Sequence, residues 1–288
     1  MTRDQLRARI YSRIDELPTL PTVVIRVLGL VERETSNVSD VTTVISQDPA
    51  LTAKLLKVAN SAYYGFRREV ASVNRAVALL GFHMVRSLTV SIGVIQSLGT
   101  GAGTPAFSRE GLWAHSLAVA TATQQLAERT VQRPDAESLF ITGLLHDVGR
   151  VVLDQFFPEE FGAALRASAE NQTPLYLEER ELLGADHGEV GGLLLGRWNF
   201  PEAIREPVAA HHREDASAAI NPAAVALLRV ADAVAQQTAV GSSGNPAPAQ
   251  PAAADLAVLG LREADVAAAL EHLENAAEGI RSFSGALS

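Results

Sequence analysis

Residues 48–60 read DPALTAKLLKVAN. Asp48 can cap a helix, Pro49 is preorganised for its first position, and Leu51, Leu55 and Val58 follow on one face. Asn60-Ser61 ends the pattern. The same helical period continues in both directions. Upstream, Leu6, Ile10, Ile14 and Leu17 form a stripe that LPTLP at 17–21 breaks, because a residue preceding proline disfavours helix. Val24, Val27, Leu28 and Val31 give the next face, and Ser39 is a candidate cap for a short helix carrying Val41, Val44 and Ile45. Downstream, Ser72 caps a helix ending at Gly81, and another runs from about Phe82 to Leu98.

GTGAGTP at 99–105 has linker composition. Beyond it a helical pattern runs from about 109 to 130. Asp135 can cap the next helix, which ends near HDVG at 146–149. Pro158, Pro174, Pro201 and Pro222 each stand near a helix start. GSSGNPAPAQP at 241–251 reads as a flexible tether, and a last amphipathic helix, about 263–280, uses Val266, Leu270 and Leu273. Strand-type alternation does not persist, and only 5% of residues are aromatic. The expectation is an all-α chain: an N-terminal helical lobe over 1–106, a second helical lobe over 107–240, and a tether with a C-terminal helix over 241–288.

The 288 residues are 47% apolar and 20% charged, a globular composition. With no cysteine, disulfides, thiolate-ligated zinc and thiol catalysis are excluded. The first residues, MTRDQLRARIYSRIDELP, hold no apolar core of a secretory signal, and no run reaches the roughly 18 apolar residues of a membrane span. A cytoplasmic setting without membrane contact is expected. The net charge of −9 argues against nucleic acid as main partner, because neutralising phosphates needs a basic surface. Residues 1–108 carry +4 and residues 109–288 carry −13. Either chance and solvated faces or two lobes with different surfaces would give that difference.

Of seven histidines, five fall between 115 and 212: His115, His146, His187, His211 and His212. Asp147 follows His146, and Asp232 sits in a helical pattern whose apolar members include Val225, Leu228 and Val230. Carboxylates avoid such surroundings unless paired or bound to a cation. Imidazole with carboxylate suits Zn, Mn or Fe, and helices each pointing one or two such groups inward can build a metal site. His211 and His212 cannot face one direction on a regular helix, being about 100° apart. His83 and His272 have no acidic partner in a recognisable pattern and read as structural.

The order H, HD, H, HH, D resembles the HD superfamily of metal-dependent phosphohydrolases, and its extra histidines resemble the HD-GYP branch, which hydrolyses cyclic dinucleotides. The fuller resemblance, over about 15–235, is to the HDOD family, an HD-related output domain of bacterial signalling proteins. LPTLPTVVIRVLGL, VISQDPALTAKLLKVANSAYYG and AVALLGFHMVRSL match its N-terminal lobe. LWAHSLAVA, GLLHDVGRVVL, DHGEVGGLLLGRWNFPE, AAHH and LLRVADAVA match its HD-like lobe.

That resemblance implies an HD-domain-like helical bundle in the second lobe, with His115, His146, Asp147, His187, His211, His212 and Asp232 on metal-ligand positions. One or two divalent ions are implied, Fe or Mn ahead of Zn. Arg150 takes the place of a Lys and is a candidate phosphate contact. Two departures stand out: HHREDASAAINP lacks the GYP segment, and Gly111 replaces the Glu of three-metal members. The family implies a regulatory output module that binds a signalling partner. YYGFRREV at 63–70, with Arg67 and Arg68, is either a structured loop with core aromatics or part of that partner surface. The alternative is a metal-dependent phosphodiesterase with a nucleotide as candidate ligand.

Overall fold

Apolar stripes with caps become helices largely where the sequence places them. The computed structural model describes residues 2–31, 38–99, 103–131, 136–213, 219–246 and 248–287. In chain order the helices are α1 (Arg3–Glu16), α2 (Thr22–Val31), α3 (Val38–Ser46), α4 (Pro49–Ala59), α5 (Val73–Leu80), α6 (Phe82–Leu98), α7 (Arg109–Ala127), α8 (Ala136–Leu145), α9 (Val148–Phe156), α10 (Pro158–Asn171), α11 (Leu175–Leu183), α12 (His187–Arg197), α13 (Glu202–Ala210), α14 (Pro222–Gln236), α15 (Ala253–Leu259) and α16 (Glu263–Leu287). No strand occurs among the described residues, so the chain is all-α. Among the described residues no helix is long and apolar enough to cross a membrane.

The chain divides into two compact units. One comprises Pro18–Gly99 with Ala276–Ser288. Its core contains Val24 and Val27 of α2, Leu51, Leu55 and Val58 of α4, and Ile280 and Phe283 of α16. Asp48 caps α4 by accepting from the Leu51 N–H at 3.0 Å, with Pro49 at the first position. Ser72 caps α5 in the same way. Ser39, expected as a cap, instead lies inside α3, and Asp135 falls outside the described residues.

The other unit comprises Met1–Leu17 with Thr100–Asn275. Helix α1 is grouped here, not with residues 18–99. Leu6, Ile10 and Ile14 are buried, Arg7 pairs with Glu189 at 2.7 Å, and Arg197 donates to the Leu17 carbonyl at 2.8 Å. Helices α7, α8 and α14 pack together within it.

Residues 241–246, read by composition as part of a flexible tether, are packed into this unit. Ser243 is buried, Ser242 N–H donates to the Gly111 carbonyl at 2.9 Å, and Asn245 Oδ1 accepts from Leu175 N–H at 3.0 Å. Gly241 has φ +73°, and a Cβ there would run into the His115 backbone nitrogen. Helix α15 was not expected, and α16 runs to Leu287 because Ile280, Phe283 and Leu287 prolong its apolar stripe.

Candidate metal centre

Five segments of the unit Met1–Leu17 with Thr100–Asn275 bring the expected donors together. His115 lies in mid α7, and His187 is the first residue of α12, whose cap Asp186 accepts from Glu189 N–H at 2.9 Å. His211 ends α13, His212 follows it, and Asp232 projects from α14. Helix α8 stops at Leu145, His146 and Asp147 form the turn, and α9 begins at Val148. Asp147 stands at the cap position of α9 but makes no capping hydrogen bond. A Cβ on Gly149 would strike the His187 carbonyl, so glycine lets α9 lie against the start of α12.

His115 Nε2 lies 2.9 Å from Asp232 Oδ1. His146 Nε2 is 3.3 Å from Asp147 Oδ2 and 3.7 Å from Asp232 Oδ1. His187 Nε2 is 3.0 Å and His211 Nε2 3.9 Å from Asp147 Oδ1. His212 Nε2 is 2.8 Å from His187 Nε2. His115, His146 and Asp147 form one group able to hold a metal, and His187, His211 and His212 another. Only His212 is more than marginally exposed.

Four of the five rings are held from behind. His146 Nδ1 donates to the Gly143 carbonyl at 2.8 Å and His211 Nδ1 to the Val208 carbonyl at 2.7 Å. His187 Nδ1 donates to Glu179 Oε2 at 2.5 Å, and the same oxygen accepts the His187 backbone N–H at 2.9 Å. Tyr176 stacks on His212 with ring centroids 4.3 Å apart. Such bonds fix ring orientation and aim Nε2 at a common centre.

At that centre, His146 Nε2 and His211 Nε2 are buried and make no hydrogen bond, and both buried Asp147 oxygens are met only by ion-pair contacts from Arg150 and the histidines. Buried polar atoms left unsatisfied are costly, and a cation among them removes the cost. Five imidazoles with two carboxylates are a donor set for a transition metal. The residues therefore fit the group that the sequence resemblance implies.

Electrostatics keep both carboxylates anionic. Burial pushes the Asp147 carboxyl up, but the charges of Arg150, His146 and His187 outweigh it and hold it well below the usual carboxylate range. Burial also opposes ionisation of Asp232, yet the hydrogen bond and charge of His115 keep it low. Burial and Arg150 push the His187 imidazolium down, but Glu179 and Asp147 win and set its pKa at about 9. Burial, with the His187 and His146 charges, drives His211 to about 3.

Arg150 is buried beside the donors. Its Nη1 lies 3.0 Å from Asp147 Oδ2 and donates to the Ser243 carbonyl, and its Nη2 is 3.2 Å from His187 Nε2. Gly111 carries the strap of residues 241–246 through its carbonyl, as described above. A cavity of about 350 Å³ opens beside the cluster, lined by Tyr176, His211, His212, Arg229, Asp232 and Gln236 among others. Arg67 and Arg68 are exposed and belong to the other unit, outside the cluster. His83 and His272 are exposed and are not among the cluster's residues.

Sequence reasoning missed Glu179. Its signal was position: Leu175 and Leu183 are buried four residues to either side, so this glutamate occupies an apolar stripe.

A family model described as HDOD domain matches residues 17–214. An uncharacterized protein of Treponema pallidum (strain Nichols) is 30% identical over 211 residues, which cover 72% of this chain and 40% of that protein. The chain thus spans two fifths of that relative's length. The crystal structure of an HDOD domain protein of unknown function from Geobacter sulfurreducens matches over 99% of this chain and 98% of its own, with a TM-score of 0.80 and 29% identity. A candidate phosphohydrolase from Shewanella amazonensis SB2B matches over 97% and 98%, with a TM-score of 0.74 and 25% identity.

Proposed function

Because this chain belongs to the HDOD family, we propose that it is a cytoplasmic signal-transduction output module that acts by binding a protein partner. In this reading a divalent transition metal, iron or manganese before zinc, sits in the His/Asp cluster as a structural or sensing centre. One observation carries it: the expected donors converge, but the two arginines beside them are engaged by the chain's own groups. Arg150, the candidate phosphate contact, is spent on Asp147 and the Ser243 carbonyl. The cavity's own guanidinium, Arg229, is spent likewise. It donates to the carbonyls of Ala210, His211 and Arg213 and lies 3.6 Å from Asp255. The partner surface is assigned to the N-terminal lobe around Arg67 and Arg68, where the basic surplus lies.

The test is a double substitution. Arg67→Glu with Arg68→Glu should weaken partner capture and leave helicity and metal content unchanged. Asp147→Ala should impair signalling only as far as it destabilises the domain. Phosphodiester turnover by metal-loaded wild type, lost in a folded Asp147→Ala protein, refutes the reading.

That outcome would favour a metal-dependent phosphohydrolase acting on a nucleotide or cyclic dinucleotide. The observation on its side is the cavity that reaches His211, His212 and Asp232. A bound metal supplies hydroxide near neutral pH and a Lewis acid for the phosphoryl oxygen. The chain would have to supply orientation, through Tyr176, Gln236 and the His212 ring.

A further inference from the structure

We propose that this chain binds one divalent ion rather than two, with the guanidinium of Arg150 standing where a second ion would otherwise be drawn. The inference rests on the metal reading above and narrows it.

The donors fall into two unequal groups. His115, His146, Asp147 and Asp232 bring two carboxylates to one place, through Asp147 Oδ2 and Asp232 Oδ1. His187, His211 and His212 bring imidazoles alone and share only Asp147 Oδ1. A divalent ion is held by charge as well as by lone pairs, so the first group is the stronger.

Arg150 lies beside both groups, its Nη1 3.0 Å from Asp147 Oδ2, but only the first group has a second carboxylate, Asp232, to offset it. Arg150 Nη2 lies 3.2 Å from His187 Nε2. A metal bonds imidazole nitrogen at about 2.0–2.1 Å, so an ion on His187 would have that guanidinium nitrogen within about 5 Å. Paired metal ions tolerate separations of about 3.5–4 Å because anionic ligands lie between them. Here the one carboxylate between the groups, Asp147, is itself paired with a cation, Arg150.

Nor can the guanidinium swing away. Arg150 is 1% exposed, and Nη1 donates to the Ser243 carbonyl. That carbonyl sits on a strap pinned at Gly241 against the His115 backbone and at Asn245 by Leu175 N–H.

Charge balance gives the same answer independently. Asp147, Asp232, Glu179 and Arg150 are all buried in the cluster. With the imidazoles neutral, as metal ligation requires, three carboxylates against one guanidinium leave a deficit that a single divalent ion fills. A second ion would bring uncompensated positive charge among largely buried groups.

Mn²⁺ titration of chelator-stripped, full-length protein tests the proposal, read by bound metal after gel filtration and by electron paramagnetic resonance. Wild type should take one tight equivalent and show the spectrum of an isolated ion. Arg150→Gln should bind a second equivalent at least about tenfold more tightly than wild type and show exchange coupling. Arg150→Lys keeps the charge and should stay at one. Two coupled ions in wild type overturn the inference but leave the metal reading standing, whereas no tight ion at all overturns the metal reading itself. A folded Arg150→Gln protein that still takes one ion, or an Arg150→Lys protein that takes two, removes Arg150 from the explanation. If Arg150→Gln does not fold, the wild-type stoichiometry and spectrum, with Arg150→Lys, still decide.

Discussion

Glu179→Gln is the sharpest perturbation of the cluster, because it removes a charge and little else. Glu179 is fully buried, and one oxygen, Oε2, accepts both His187 N–H groups. The other, Oε1, makes no hydrogen bond. A glutamine can therefore set its carbonyl oxygen on the two donors and its amide nitrogen where nothing is displaced. What is lost is the attraction that helps lift His187 from 6.5 to about 9. The shift, net of the opposing burial and Arg150 charge, corresponds to roughly 3 kcal/mol, and Glu179 shares the raising with Asp147, so its loss is worth on the order of 1–2 kcal/mol. Because the folded pKa is raised, this stability is complete below the unfolded value of 6.5 and is lost as pH rises through about 9. Urea unfolding of metal-free protein, followed by tryptophan fluorescence, is a fitting assay. Both tryptophans, Trp113 and Trp198, are buried in the unit that holds the cluster. Wild type should exceed the variant by about 1–2 kcal/mol near pH 6, and the gap should close toward pH 10. An equal gap at both pH values would refute the charge coupling.

Metal uptake should strengthen as pH rises above 6.5. Asp147 and Asp232 hold the buried His146 imidazolium above its ordinary pKa against the cost of burial, and that proton must leave before Nε2 can bind; equilibrium dialysis across pH reads the slope. Asp147→Ala should abolish metal retention and cost the folded protein about 3–5 kcal/mol, since it leaves the buried Arg150 guanidinium without its carboxylate; metal analysis and urea midpoints check both. Gly149→Ala should destabilise by about 1–3 kcal/mol and lower metal affinity, because its Cβ would push α9 off the His187 carbonyl; an unchanged unfolding midpoint would contradict the close approach.

Local signals made most of the helices legible. Asp48-Pro49, Ser72 and the prolines at 158, 174, 201 and 222 act within one turn of themselves, and α4, α5, α10, α11, α13 and α14 begin at or beside them. The tail was less legible for the same reason. Residues 241–246 have tether composition, but their order comes from partners far away in sequence: Gly111, His115, Arg150 and Leu175. Composition describes how a segment behaves alone, not which carbonyl a distant arginine needs.

The cluster shows that limit from both sides. His115, His146, Asp147, His187, His211, His212 and Asp232 could be named because imidazoles and carboxylates in that order form an uncommon pattern. Glu179 could not, because in LEERELL it has the company of a solvated helix face. Only its place between Leu175 and Leu183 marks it as buried, and a buried carboxylate requires a cationic or hydrogen-bonding partner. That rule points past the residue itself. A glutamate on an apolar stripe eight residues before a histidine implies an imidazole held from behind. An arginine three residues after Asp147, on the buried face of α9, implies a cation inside the site. Read together, the two misplaced charges foretell a polarised cluster: anion behind the His187 ring, cation in front of it, and the two-carboxylate pocket of Asp147 and Asp232 as the place where a single ion is wanted.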